Sequence, residues 1–268
     1  MQNTKRAKVW RVALRVGLFL LVSGLRPADL SAQANEEAWK HHMETAAAAI
    51  KAEQPEEVMF FLGNALAEAE KFGPADQRLA NTLNLMAAFQ RSQGEFEEAE
   101  ANYRRIVTVL EQGQGPESPS VANALDALAG LHQEESDILR EVREQRDAEF
   151  AKPAAEGEDH DHPAPAAQGS EHEHDEHLEA AAKLLQRSLA IREKAFGPND
   201  PSVDASVNRL AAVYDAQKHY DLAEPLLRRS LETRERIFGK DAPEIASSLH
   251  NLGILKHKQN KQIGRAHV

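Results

Sequence analysis

Apolar residues fall along the chain in blocks with helical spacing, and the blocks themselves repeat. Residues 184–214 (LLQRSLAIREKAFGPNDPSVDASVNRLAAVY) return as 226–256 (LLRRSLETRERIFGKDAPEIASSLHNLGILK) at an offset of 42 residues. Leu185 answers Leu227, Arg187 answers Arg229, Gly197 answers Gly239, Pro201 answers Pro243 and Leu210 answers Leu252. A fixed period of this length marks a solenoid, because a helix pair can bury its apolar stripe only by stacking on the next pair.

The same register extends toward the N-terminus. Asn35–Lys51 reads as a helix with Trp39, Met43, Ala46, Ala47 and Ile50 on one face. A second helix over Glu56–Phe72 has Pro55 at its first turn, where a missing N–H costs nothing, and stops at Phe72-Gly73-Pro74. Gly73-Pro74 and Gly115-Pro116 are again 42 residues apart. Leu83, Leu125, Val207 and Leu249 form one column, with separations of 42, 82 and 42. The long step contains a 40-residue insertion between the two helices of one unit, roughly Ile138–His177. Ala99, Ala181 and Ala223 share a position where two helices must approach closely. Leu83, Met86, Leu128, Leu210, Leu249 and Leu252 are expected in the core, with Tyr103, Tyr214 and Tyr220 packed between units.

The pieces LAIREKAFGPNDPSV, SLHNLG and QGEFEEAEANYRRI resemble the tetratricopeptide repeat family, in the 42-residue form of kinesin light chains. The resemblance covers about 35–261 apart from the insertion. It implies an all-α, TPR-type α-solenoid of antiparallel helix pairs that holds a protein or peptide along its concave face. The family's groove positions fall on Asn84, Asp126, Asn208 and His250 in one column, and on Arg209 and Asn251 in the next. Asparagine amides both donate to and accept from a peptide backbone. Asp126, Arg209 and His250 depart from the family's usual asparagines, and Asp126 and Arg209 are candidates for setting specificity. The first unit, 35–72, matches weakly.

These patterns divide the chain into N-terminal repeat helices (35–137), an insertion (138–177), C-terminal repeats (178–261) and a tail (262–268). In the insertion, Gln133–Lys152 still reads as helix, with Arg140/Glu144 and Arg143/Asp147 as opposite charges at i, i+4. Pro153–His177 (PAAEGEDHDHPAPAAQGSEHEHDEH) has almost nothing apolar to bury, so it is expected to be disordered. Residues 134–177 hold fifteen acids and four bases, a net −11.

His160, His162, His172, His174 and His177 lie in this tract. It reads as a solvated acidic linker, or as a binder of Zn, Cu or Ni through neutral imidazole; its spacing matches no defined zinc motif. A third reading is a response to acid, since imidazoles gain charge below about pH 6. Divalent-metal binding through this tract is therefore the alternative function to peptide binding.

At the N-terminus, Lys5, Arg6, Lys8, Arg11 and Arg15 precede the apolar run Val16–Leu25, and Ala32-Gln33-Ala34 offers a cleavage site before Asn35. Residues 1–34 thus read as a signal peptide that sends the protein to the periplasm or cell exterior. An uncleaved membrane anchor is the alternative, although ten apolar residues are short for a span. At the other end, the offset places a new helix near Gln262, but Ile263–Val268 breaks the pattern. It is similar to the translation of a sequencing adapter, so a non-native tail on an interrupted repeat array is expected.

The chain has no cysteine, which excludes disulfides and thiolate metal sites, and a formal charge of −11, which speaks against nucleic acid as a partner. No P-loop, dinucleotide fingerprint, H-E-x-x-H or G-x-S-x-G occurs. Ser247, Ser248 and His250 form a nucleophile–base group only on paper, and the chain is not expected to be an enzyme.

Overall fold

The computed structural model describes residues 27–150 and 168–266, all helices and short turns. The described helices are α1 (Pro27–Lys51), α2 (Pro55–Glu70), α3 (Gln77–Gln93), α4 (Phe96–Gln114), α5 (Pro119–Phe150), α6 (Gln168–Phe196), α7 (Pro201–Ala216), α8 (Tyr220–Phe238) and α9 (Glu244–Ala266). His160, His162, the basic and apolar N-terminal segment 1–26, and residues 151–167 of the acidic tract lie outside the described residues.

The chain forms two compact units that meet within α3, at Met86/Ala87. In the first, α1 packs on α2 through Ala46, Ala49, Val58, Leu62, Ala65 and Ala69, all fully or nearly buried. Trp39 donates from Nε1 to Thr82 Oγ1 at 2.8 Å, so the one polar atom of the indole is satisfied. In the second unit each helix from α4 to α9 packs on its neighbours in sequence, as a TPR-type α-solenoid requires. One core cluster joins Ala129 of α5, Leu178, Ala181, Leu185 and Leu189 of α6, and Val203, Val207, Leu210 and Val213 of α7. Ala99, Ala181 and Ala223 are all completely buried, as their small side chains predicted.

Two recurring devices set the repeat boundaries. Each pair ends on a glycine (Gly73, Gly115, Gly197, Gly239) at a positive φ that L side chains rarely adopt. The next helix is then started by Asp76, Ser118 or Asp200, whose side-chain oxygen accepts a backbone N–H of the first turn. In the fourth such place stands Ala242, which has no oxygen to offer. Within a pair, the first helix ends with one residue in the left-handed region, Glu53, Gly94 or Lys218. The next N–H reaches back to Ala49, Gln90 or Tyr214 at 2.8–3.1 Å.

The third pair has no such turn. Here α5 runs on from the solenoid to Phe150, and α6 begins at Gln168, so the expectation of disorder through His177 is corrected for residues 168–177. These residues have little apolar surface, but α6 lies along the extension of α5, and packing on a neighbour supplies what composition lacks. Arg140 pairs with Asp137 at 2.9 Å, one turn back along α5.

At the C-terminal end α9 continues to Ala266 through the place where the offset predicts a turn. Leu83, Leu128 and Leu210 are buried as expected, whereas Leu249 is 55% exposed, because no described helix packs on the outer face of α9.

Candidate functional site

The predicted groove residues divide between the two units. Asn84 is exposed on α3 in the first unit. The other five lie in the second, on the first helices of successive pairs: Asp126 on α5, Asn208 and Arg209 on α7, His250 and Asn251 on α9. His250 and Asn251 are exposed, and no hydrogen bond ties their side chains to other described residues. Asn208 is half-buried and donates from Nδ2 to Asp204 O and to Ser230 Oγ, at 2.8 and 2.7 Å. Asn208 and Asn251 open onto one cavity of about 270 Å³ whose other walls include Ala211, Leu227 and Ile254.

Asp126 and Arg209 are paired with one another across helices. Asp126 is buried, and its Oδ2 accepts from Arg192 at 2.7 Å and from Arg209 at 2.9 Å. Arg209 also donates to the backbone carbonyl of Asp126, and Arg192 reaches Ser188, Ser206 and Asn123. Both residues thus belong to a polar network spanning α5, α6 and α7, and with Asn123 and Ser206 they line a cavity of about 500 Å³. One repeat on, Arg234 stands in the place of Arg192 but takes other partners, donating to Asp204 Oδ2 and to Ser247 Oγ at 2.8 Å. Arg192 and Arg234 went unnoticed in the sequence, although their separation of 42 residues was the available signal. The bond from Arg234 also engages Ser247, one of the two serines of the Ser247/Ser248/His250 group.

His172, His174 and His177, the described histidines of the insertion, have different surroundings. His172 is exposed near the start of α6 and faces Glu176 at 3.5 Å. His174 shares a hydrogen bond of 2.9 Å with Ser136 Oγ on α5. Ser136 and His174 border a polar cavity of about 600 Å³ that also meets Arg140, Lys218 and Lys258. One turn nearer the solenoid, His177 Nδ1 lies 3.1 Å from His132 Nδ1, and Glu135 Oε2 lies 3.3 Å from both nitrogens. His132 Nε2 faces Glu100 Oε1 on α4 at 3.4 Å. Burial lowers the pKa of His132, with Glu100 opposing, and burial raises that of Glu135. His132 and Glu135 were not singled out in the sequence, because neither belongs to the histidine-rich tract.

A sequence profile of the tetratricopeptide repeat matches residues 78–140, 172–235 and 203–263, together more than half of the chain. The chain belongs to the tetratricopeptide repeat family. The gap between the first two matches, residues 141–171, lies within the insertion. Among solved structures, BtubC (BKLC) from P. vanneervenii is similar over 88% of this chain and 85% of its own, with a TM-score of 0.55 and 14% identity. A putative kinesin light chain of Podosopora anserina, with nearly identical TPR-like repeats, aligns over 76% of this chain and 97% of its own at 21% identity and a TM-score of 0.33. At 14% identity the likeness to BtubC concerns the fold alone. No curated protein shows significant sequence similarity to the chain. As a tetratricopeptide-repeat fold the chain is built as a protein-interaction scaffold, and no described helix is long and apolar enough to cross a membrane.

Proposed function

We propose that the protein is an exported scaffold that binds an extended protein segment along the face made by α7 and α9. The observation that carries this reading is the shared cavity of Asn208 and Asn251. An amide with no partner among the described residues, Asn251, stands there over an apolar wall that includes Leu227 and Ile254. Such a surface supplies backbone hydrogen bonding beside a small apolar pocket, which suits a peptide with a short aliphatic side chain. Export rests on the basic and apolar N-terminal segment, and places the partner in the periplasm or outside the cell.

The test is selection of peptides from an unbiased display library, followed by affinity measurement on single variants. Asn251→Ala and Ile254→Glu are expected to weaken the selected peptides at least tenfold, and Lys194→Ala, on the opposite helix of another pair, to leave them unchanged. Peptides that bind all three variants equally well overturn the site. Export is checked separately by the mature N-terminus, which is expected at Asn35 when the full-length precursor is produced in a secreting host.

A further inference from the structure

In the three pairs with a regular turn, the first helix ends and the chain returns five residues later: Ala49 to Gln54, Gln90 to Glu95, and Tyr214 to His219. By the repeat offsets, His132 stands where Tyr214 stands, and His177 where His219 stands. The third pair therefore leaves the solenoid at His132 and returns at His177, 45 residues later. Where the backbone hydrogen bond of the turn would close the pair, two imidazoles and a carboxylate meet instead.

We propose that His132, Glu135 and His177 form a site for a divalent transition-metal ion of the zinc class, which fastens the inserted helices to the solenoid at their root. The three facing atoms, His132 Nδ1, His177 Nδ1 and Glu135 Oε2, form a triangle with sides of 3.1, 3.3 and 3.3 Å. Atoms bound tetrahedrally at about 2.0–2.1 Å from zinc lie roughly 3.3–3.4 Å apart, so the triangle is one face of such a tetrahedron. Glu135 Oε2 is buried and has no hydrogen-bond partner among the described residues, an arrangement that a cation directly satisfies. His132 and Glu135 are at i, i+3 on α5, hence on one face.

A carboxylate also stands behind His132. Glu100 Oε1 faces the other nitrogen of His132 at 3.4 Å and is itself held by Arg104 at 2.6 Å. A carboxylate behind a ligating imidazole fixes its tautomer and raises its basicity. Two nitrogens and one carboxylate oxygen suit zinc, and exclude the all-oxygen shells that calcium and magnesium prefer. Only His177 of this set comes from the histidine-rich tract; its side chain keeps 28% exposure and leaves a fourth position to water. The inference is independent of the peptide site between α7 and α9.

The experiment is calorimetric titration of ZnCl2 into the untagged full chain, with circular dichroism to confirm folding. The variants are His132→Gln, Glu135→Gln, His177→Gln, His172→Ala and a deletion of residues 153–167. Glutamine already occupies the place of His132 in the second pair, as Gln90, so His132→Gln retains a side chain that this position accepts. One zinc per chain is expected, at micromolar affinity or tighter. Each glutamine variant is expected to weaken it at least tenfold, and His172→Ala and the deletion to leave it within about threefold. Magnesium and calcium are expected to give no heat. Zinc binding that survives His132→Gln and Glu135→Gln but vanishes with the deletion assigns the metal to the acidic tract and overturns the proposal. Affinity no better than about 100 μM in the intact chain overturns it as well, leaving the contact an ordinary hydrogen bond between imidazoles.

Discussion

His132 and His177 are 45 residues apart in sequence and 3.1 Å apart at their Nδ1 atoms. They mark the two ends of a 40-residue excursion from a solenoid whose other pairs close through a single left-handed residue. Their proximity follows from the repeat: the stacking of α5 and α6 on their neighbours fixes both positions, whatever the chain does between them. Ordinary tetratricopeptide packing thus assembles two donors that local sequence would never bring together.

Zinc should act on stability as well as on heat. A ligand that binds only the folded chain stabilises it by about 2.7 kcal/mol at a hundredfold excess over its dissociation constant. Differential scanning fluorimetry is expected to show a zinc-dependent rise in melting temperature for the parent chain and none for His132→Gln.

The ion pairs of Asp126 should matter for folding rather than for ligand binding. Removal of the carboxylate in Asp126→Ala leaves Arg192, also buried, without its charge partner, which costs about 3–5 kcal/mol. Replacement of both residues together, as Asp126→Leu with Arg192→Leu, is expected to recover much of that loss. Urea denaturation of the two single variants and the double variant measures the coupling directly.

These two cases show where the sequence was legible. The offset of 42 residues, the columns Leu83/Leu125/Val207 and Ala99/Ala181/Ala223, and the glycine stops all reflect local or periodic rules, and each is found in the structure. The partner of Asp126 was not legible, because Arg192 lies 66 residues away on a neighbouring helix and charge pairing over that range leaves no local pattern. Leu249 has the right spacing for the core, yet burial needs a neighbour as well as a pattern. His132 reads as a single histidine in an apolar run, and becomes informative only when it is set against Tyr214 by the repeat offset.

Helix α9 lacks the cap that starts its counterparts. Asp76, Ser118 and Asp200 each accept a first-turn N–H, and Ala242 at the same place accepts none through its side chain. Ala242→Asp is expected to add about 0.5–2 kcal/mol, seen as slower amide exchange in the first turn of α9.

Lys218 sits at φ 62° in a turn whose counterpart, Gly94, sits at φ 79°. A residue with a Cβ loses roughly 1 kcal/mol or more in that region. Glycine also has more freedom to lose on folding, so Lys218→Gly is expected to gain only about 0.5–1 kcal/mol. The reverse change, Gly94→Lys, is expected to destabilise, and thermal denaturation of both variants sets the sign.

Acid should loosen the start of α3 through one carboxylate. Hydrogen bonds from Arg78 hold the pKa of Asp76 below its ordinary 3.8. A pKa lowered by folding gives stability that is complete above the unfolded value and is lost as pH falls through the folded one. The difference in melting temperature between the parent chain and Asp76→Asn is therefore expected to shrink as pH drops below about 4.

The missing turn of the third pair has a wider consequence. Lengthening a closed loop from 5 to 45 residues costs about 2 kcal/mol of chain entropy, and the contacts between α5 and α6 lie in the position to offset it. A solenoid held together by its flanks leaves its hairpin bends free to vary, so the bend at His132 and His177 is a socket. Foreign sequence can be seated there without disturbing the stack, and the imidazoles at its mouth supply the latch.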